Sequence, residues 1–212
     1  NVTQTRAGTI FGTWVGMAFL SRTVPELEAV SLPFLFPNRE VAYKVMDGPI
    51  GDLIDKKLED KGFIALGFME LGARQVTNSV RPIKTMADLK GLKIRLQPNE
   101  THLATFRALG ANPLAMDIRE VYSAMEQKVI DGQENPFSVI LANKFYEVQK
   151  YLAVTNHQYN PQSLIMSKKV WDSLAADQKK VIQDAAIEAA KYERQVNREL
   201  ASGQLGELKK AG

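Results

Sequence analysis

The chain has 212 residues, 45% hydrophobic and 24% charged, with a formal net charge of +3; this is an ordinary globular composition, long enough for one large domain or two small lobes. It has no cysteine and only two histidines, which excludes disulfides, thiolate catalysis and Cys-based metal sites and argues against a His-rich metal site or a His-centred triad. The positive charge is spread along the chain with no Lys/Arg-rich run, so there is no footprint for nucleic acid, and no stretch is long and apolar enough to cross a membrane as a helix.

Residues 1–6 do not form a basic-then-apolar leader, so the sequence shows no signal peptide. Residues 9–11 and 13–15 read as strand, interrupted by Gly8, Gly12 and Gly16. Trp14 within them reads equally as a core or rim tryptophan. Residues 24–30 form a turn with helical character. Asn38 is placed to cap a helix whose Val41, Val45 and Met46 share a face. Gly48 and Pro49 end it. A second helix covers 50–61, with Ile54 and Leu58 inward and Asp55, Lys56, Lys57 and Glu59 as a solvated face. Residues 63–68 are a near-continuous apolar run, the pattern of a strand buried on both sides. Val76 is read as inward in the following segment, and 86–89 makes one helical turn.

The segment from 91 to 151 carries the most information. Leu92, Ile94 and Leu96 alternate with Lys93, Arg95 and Gln97, a strand with one buried face that Pro98 ends. Asn99 caps a helix carrying Leu103, Phe106 and Leu109, and Gly110 follows it. Residues 111–116 form a second, edge strand. Asp117 and Glu120 resemble a capping box ahead of a helix with Val121, Ala124 and Met125. Val129 and Ile130 make a very short third strand, Asp131 and Gly132 turn the chain, and Glu134-Asn135-Pro136 opens a helix with Val139, Ile140, Phe145 and Val148. Strand and helix alternate, which predicts an α/β layer with mostly parallel strands. Ligands bind beyond the carboxyl ends of such strands, where Arg95 lies. From the pattern alone, Arg95 reads as a solvated arginine and Asn135 as a turn residue.

Residues 152–155 read as a further strand and 163–166 as another. His157 reads as a structural hydrogen-bonding residue, and Tyr159 has a hydroxyl able to reach a ligand. A short helix at 168–174 contains Trp171. The longest helical pattern runs from Asp177 to about Lys210, with Val181, Ile182, Ala185, Ala186, Ala189, Val196 and Leu200 at three- and four-residue steps. Ser202, Gly203 and Gly206 predict a late weakening or kink, and Ala175 a weak start.

The runs LKGLKIR, ALGANP, EVYSAMEQKVIDGQENP and KFYEVQKYLAVTNH resemble the solute-binding proteins of tripartite ATP-independent periplasmic (TRAP) transporters, the DctP-like family. The similarity runs from about Leu32 through Gln178, and DGQENP followed by KFYEVQKYL is its most specific part. The resemblance implies a two-lobed periplasmic-binding-protein-like fold of type II. Residues 1–72 and 161–200 would form one lobe, lacking its first strand–helix–strand unit, and 73–160 with 201–212 the other. The long helix would span the lobes and the chain looks truncated at both ends. It implies a periplasmic receptor, monomeric, that binds a small organic acid in the interlobe cleft and passes it to the membrane subunits of a transporter, with no cofactor, no metal, no nucleic acid and no catalysis. It gives the ligand carboxylate to Arg95 by a bidentate ion pair, with Asn135 and Arg74 assisting; Trp14, near a region where the family places ligand contacts, and Tyr159, through its hydroxyl, are further ligand-contact candidates. It also gives Leu32-Pro-Phe-Leu-Phe36 a packing role. Where sialic-acid-binding relatives have an aromatic residue this chain has Ile118, which counts against that ligand. Two other readings stay open: an enzyme that orients an acid with Arg95 and uses Glu134 as base, and the effector-sensing domain of a regulator.

Overall fold

The computed structural model describes residues 1–211. In chain order the elements are α1 (Val2–Ala7), β1 (Gly12–Gly16), two 3-10 turns (Met17–Leu20 and Pro25–Ser31), α2 (Arg39–Met46), α3 (Pro49–Asp60), β2 (Phe63–Ala73), β3 (Gln75–Asn78), a 3-10 turn (Met86–Leu89), β4 (Lys93–Leu96), α4 (Glu100–Ala108), β5 (Asn112–Ala115), α5 (Ile118–Glu126), β6 (Gly132–Asn135), α6 (Phe137–Ala142), a 3-10 turn (Phe145–Glu147), β7 (Tyr151–Ala153), β8 (Tyr159–Ser167), α7 (Lys168–Asp172) and α8 (Ala176–Ala211). The chain divides into two compact units, Asn1–Leu27, Phe36–Leu71 and Asn160–Arg198 in the first, Glu28–Leu35, Gly72–Tyr159 and Glu199–Gly212 in the second.

The first unit has a three-stranded sheet in the order β1–β8–β2, with β1 antiparallel to β8 and Trp14 opposite Leu164. Asn38 caps α2 as its sequence requires, accepting from Val41 N at 3.0 Å. The face that α2 buries is Ala42, Tyr43 and Met46, and Val41 is exposed, because the apolar stripe is rotated by one residue from the expected one. Ile54 and Leu58 of α3 point inward as expected. Asp55 departs from the solvated face. Its Oδ1 is buried without a hydrogen-bond partner among the described residues, and burial, with the nearby Asp52 charge, raises its pKa to about 7. Leu66, Met166 and Ala186 join β2, β8 and α8 in one apolar cluster.

The second unit has a five-stranded sheet in the order β5–β4–β6–β3–β7. β4 is parallel to both β5 and β6, whereas β3 is antiparallel to both β6 and β7. The sheet is therefore mixed rather than mostly parallel. Val76, Leu92, Ile94, Leu96 and Phe106 form one core cluster, and Val121, Met125, Ile130, Ile140, Phe145 and Leu208 form another.

Several local expectations change. The third strand is Gly132–Asn135, not Val129 and Ile130, and the following helix starts at Phe137 rather than Glu134. Asp117 does cap α5, but its carboxylate accepts from Arg119 N at 3.0 Å, and no reciprocal bond from Glu120 completes a box. Leu32, Phe34 and Leu35 are exposed, Phe34 by 70% and with a left-handed φ of 55°. The α8 helix passes through Ser202, Gly203 and Gly206 without interruption. At its start the Gln178 side chain accepts from Ala175 N at 2.9 Å, supplying the cap that Ala175 lacks.

Candidate ligand-binding site

One row of the second unit's sheet organises the polar residues. The register places Arg95 of β4 opposite Gln133 of β6, and Gln133 opposite Thr77 of β3. Opposed residues share a sheet face, as do residues two apart on a strand. Arg95, Gln133, Thr77 and Asn135 therefore line one face. The hydrogen bonds follow that geometry: Asn135 Nδ2 donates to Gln133 Oε1 at 2.6 Å, Gln133 Nε2 to Thr77 Oγ1 at 2.8 Å, and Thr77 Oγ1 to Gln149 Oε1 at 2.8 Å. Gly132 makes this strand possible. A Cβ there would stand 2.0 Å from the Thr77 carbonyl oxygen.

Arg74 sits just before β3 and is fully buried. Its Nε and Nη2 fork onto the Glu134 carboxylate, the Nη2–Oε1 distance being 2.9 Å, and Nη2 also donates to the Glu134 carbonyl at 2.6 Å and to Asn135 Oδ1 at 2.9 Å. Nη1 is buried without a hydrogen-bond partner among the described residues. His157 Nε2 lies 3.1 Å from Glu134 Oε2, and Thr155 Oγ1 is 2.8 Å from His157 Nδ1. A carboxylate only accepts, so Nε2 carries the proton. Burial alone would raise the Glu134 pKa; the Arg74 charge and the bonds from His157 and Arg74 outweigh it and hold the carboxyl well below its usual range.

Arg95 is 1% exposed. Its Nε and Nη2 both donate to the Met116 carbonyl, at 2.8 and 2.6 Å. A carbonyl satisfies hydrogen bonds but does not neutralise a full charge. The two carboxylates whose charge reaches this guanidinium are otherwise engaged, Glu134 by Arg74 and Asp117 by Arg119. Burial pushes the Arg95 pKa down to about 10, and repulsion from Arg74 adds to it. This core thus buries two guanidiniums against one carboxylate.

Further buried polar atoms of this unit have no hydrogen-bond partner among the described residues: Gln97 Oε1, both ring nitrogens of His102, and Gln158 Nε2. Asn99 caps α4 through His102 N at 3.0 Å, which sets His102 in the first turn. His102 and Gln158 line a cavity of about 10 Å³ together with Ser31, Pro33, Phe106 and His157. Burial lowers the His102 pKa to about 4, so the ring is neutral at physiological pH.

The structure brings Arg95, Asn135 and Arg74 into one buried array. Trp14 belongs to the first unit, is 45% exposed, and donates its indole N–H to Gln162 Oε1. Tyr159 opens β8, half-buried, and takes no part in the bonds described above. Sequence reading missed Gln133, Gln97 and His102. The available signal for Gln133 was the polar run GQEN sitting where a strand was needed to follow α5; a strand whose every side chain is buried and polar has no hydrophobic period to find.

The profile of the bacterial extracellular solute-binding proteins, family 7, matches residues 1–212. The chain is 38% identical over 211 residues to the 2,3-diketo-L-gulonate-binding periplasmic protein of Escherichia coli, covering all of this chain and 64% of that protein's length. The chain therefore spans somewhat under two thirds of this curated relative. Among solved structures, the sugar acid binding protein of Advenella mimigardefordensis in complex with galactonate superposes with a TM-score of 0.96 at 40% identity, over 99% of this chain and 67% of that one. A TRAP periplasmic solute-binding protein of a Polaromonas species bound to D-erythronate gives a TM-score of 0.97 at 40% identity, over 100% of this chain and 70% of that one.

Proposed function

The chain belongs to the bacterial extracellular solute-binding proteins of family 7, and from that premise we propose that it is the ligand-holding part of a periplasmic receptor that binds a small organic acid and delivers it to a TRAP-type transporter. Arg95 grips the ligand carboxylate. A planar fork of donors matches a carboxylate with two parallel bonds, which a lysine point charge does not. Asn135 stands on the same sheet face and contributes an amide, while Arg74 fixes Asn135 and Glu134. Tyr159 is a secondary contact of the same ligand. The observation that carries this reading is the charge imbalance: Arg95 is buried with no carboxylate of its own, and a buried charge is stable only when paired. The ligand acids of the relatives, galactonate and D-erythronate, are of the matching class.

The enzyme alternative loses its base. A carboxylate held well below its usual range by a buried arginine binds protons poorly, and general bases work near the operating pH. This favours the receptor reading over one in which Glu134 acts as a base. A thermal-shift screen of organic acids tests this. An acid at about 100 times its dissociation constant adds about 2.7 kcal/mol, which raises the melting temperature of a chain this size by about 5–10 °C. A panel of monocarboxylates and dicarboxylates with no stabilising member, together with a native mass spectrum lacking a co-purified acid, would overturn the proposal.

A further inference from the structure

The second unit also holds a larger cavity, of about 380 Å³, where β7, the 3-10 turn Phe145–Glu147, α6 and the last turns of α8 meet. That volume is in the range of sites that enclose a small molecule. Its apolar floor is Ile140, Leu152, Leu205 and Leu208, and Ile140 and Leu208 belong to the core of the unit. Its polar wall is held in place by the protein itself. Thr77 Oγ1 donates to Gln149 Oε1 at 2.8 Å, and Gln149 Nε2 donates to Ser79 Oγ at 3.1 Å and to the Val148 carbonyl at 3.0 Å. A wall fixed in advance lowers the ordering cost of binding. The charge at the cavity has one sign. Lys150 and Lys209 line it, no lining residue is acidic, and neither lysine has an ion pair among the described residues. Lys150 Nζ stands 5.4 Å from the centroid of the Tyr151 ring, a contact that steadies the ammonium without neutralising it.

We propose that this cavity is a second binding site, for an amphipathic anion: an apolar body the size of a phenyl ring with a short chain, bearing one anionic group. The floor gains by taking apolar surface out of water. It offers nothing to the hydroxyls of a polyol, which would lose their bonds to water there. Both lysines are exposed, so the anionic end stays wet at the rim while the apolar end goes inward. An ammonium is a compact point charge that attracts an anion without fixing its orientation, unlike the buried fork of Arg95. The two sites therefore differ in floor, in cation and in burial, and this one holds whether or not Arg95 grips a carboxylate.

Three probes separate the terms: 3-phenylpropanoate has ring and charge, 3-phenylpropan-1-ol the ring alone, and propanoate the charge alone. Each is titrated into the full chain carrying Arg95→Met, which takes the acid site out of competition, and backbone amide shifts are followed by NMR. Phenylpropanoate should bind about three- to tenfold more tightly than the alcohol and at least about tenfold more tightly than propanoate. The shifts should concentrate at residues 146–154 and 205–209 and appear in wild type as well. Lys150→Gln combined with Lys209→Gln should weaken phenylpropanoate about three- to tenfold and leave the alcohol unchanged, and added salt should act in the same direction. Thermal melts verify folding of each variant. Absence of phenylpropanoate binding, shifts confined to other residues, propanoate binding as tightly, or an unaltered affinity in the lysine variant each overturns the proposal. Sedimentation showing a dimer that no longer takes the probe gives the cavity to a second copy of the chain and overturns it too. Failure of the carboxylate grip at Arg95 leaves all of these results unaffected.

Discussion

Replacing Arg95 with methionine separates a ligand-gripping arginine from a structural one, because the two roles predict opposite effects on the unliganded protein. Burial pushes the guanidinium pKa down to about 10, which corresponds to roughly 3 kcal/mol against the charged form. Methionine removes that burden. It also strips the Met116 carbonyl of two donors, which costs about 1–3 kcal/mol. The sum is a protein as stable as wild type or more stable by up to about 2 kcal/mol, a melting temperature unchanged or raised by up to about 8 °C. Binding moves the other way. A ligand carboxylate that loses its buried partner loses about 2–5 kcal/mol, a weakening of roughly 30- to 5,000-fold. Differential scanning calorimetry of the unliganded variant and titration of the best acid from the screen give the two numbers. A dissociation constant within twofold of wild type refutes the grip. A melting temperature more than about 5 °C below wild type refutes the claim that Arg95 is held against a cost.

Arg74→Met should behave oppositely, because it leaves Glu134 buried beside His157 alone; a loss of about 3–5 kcal/mol, or about 6–20 °C, is expected in the unliganded melt. Asp55 has a raised pKa of about 7 in the folded chain against about 3.9 unfolded. Its contribution to stability is therefore complete below about pH 4 and is lost as pH rises through 7. Asp55→Asn should raise the melting temperature at pH 8 and leave it unchanged at pH 4, and equal shifts at both values would contradict the assignment. Gly132→Ala forces a methyl against the Thr77 carbonyl at 2.0 Å. A penalty at or above the top of the usual overpacking range of about 1–3 kcal/mol should appear in urea unfolding.

The sequence made most elements of the second unit visible, because β4, α4 and α5 bury apolar side chains at the period of their backbone. The fourth step failed for a physical reason. β6 is Gly-Gln-Glu-Asn with all four residues buried, and it is held by hydrogen bonds and an ion pair, not by apolar contact. Its polar letters matched a turn, so the strand was placed at Val129 and Ile130, where apolar residues stood. The Leu32–Phe36 run was given a packing role by resemblance; in the structure Phe34 stands outward. Arg95 shows a further limit. Alternation put it on a polar face, and only the register with Gln133 reveals that this face is buried. The roles of Arg95, Asn135 and Arg74 came from family resemblance; the position of Arg74 against Glu134, and the unpartnered atoms of His102 and Gln97, needed coordinates.

The β6 strand is laced on both edges, parallel to β4 and antiparallel to β3. A segment clamped on both sides can neither slide nor tilt without unzipping two ladders, so the glutamate and the two amides it carries are as fixed as the scaffold. Gln97, His102 and Gln158 lie outside every ladder, where an exchange of side chain disturbs no strand pairing. Substitutions can therefore accumulate at such loop and helix-start positions with the anchoring strand inherited untouched.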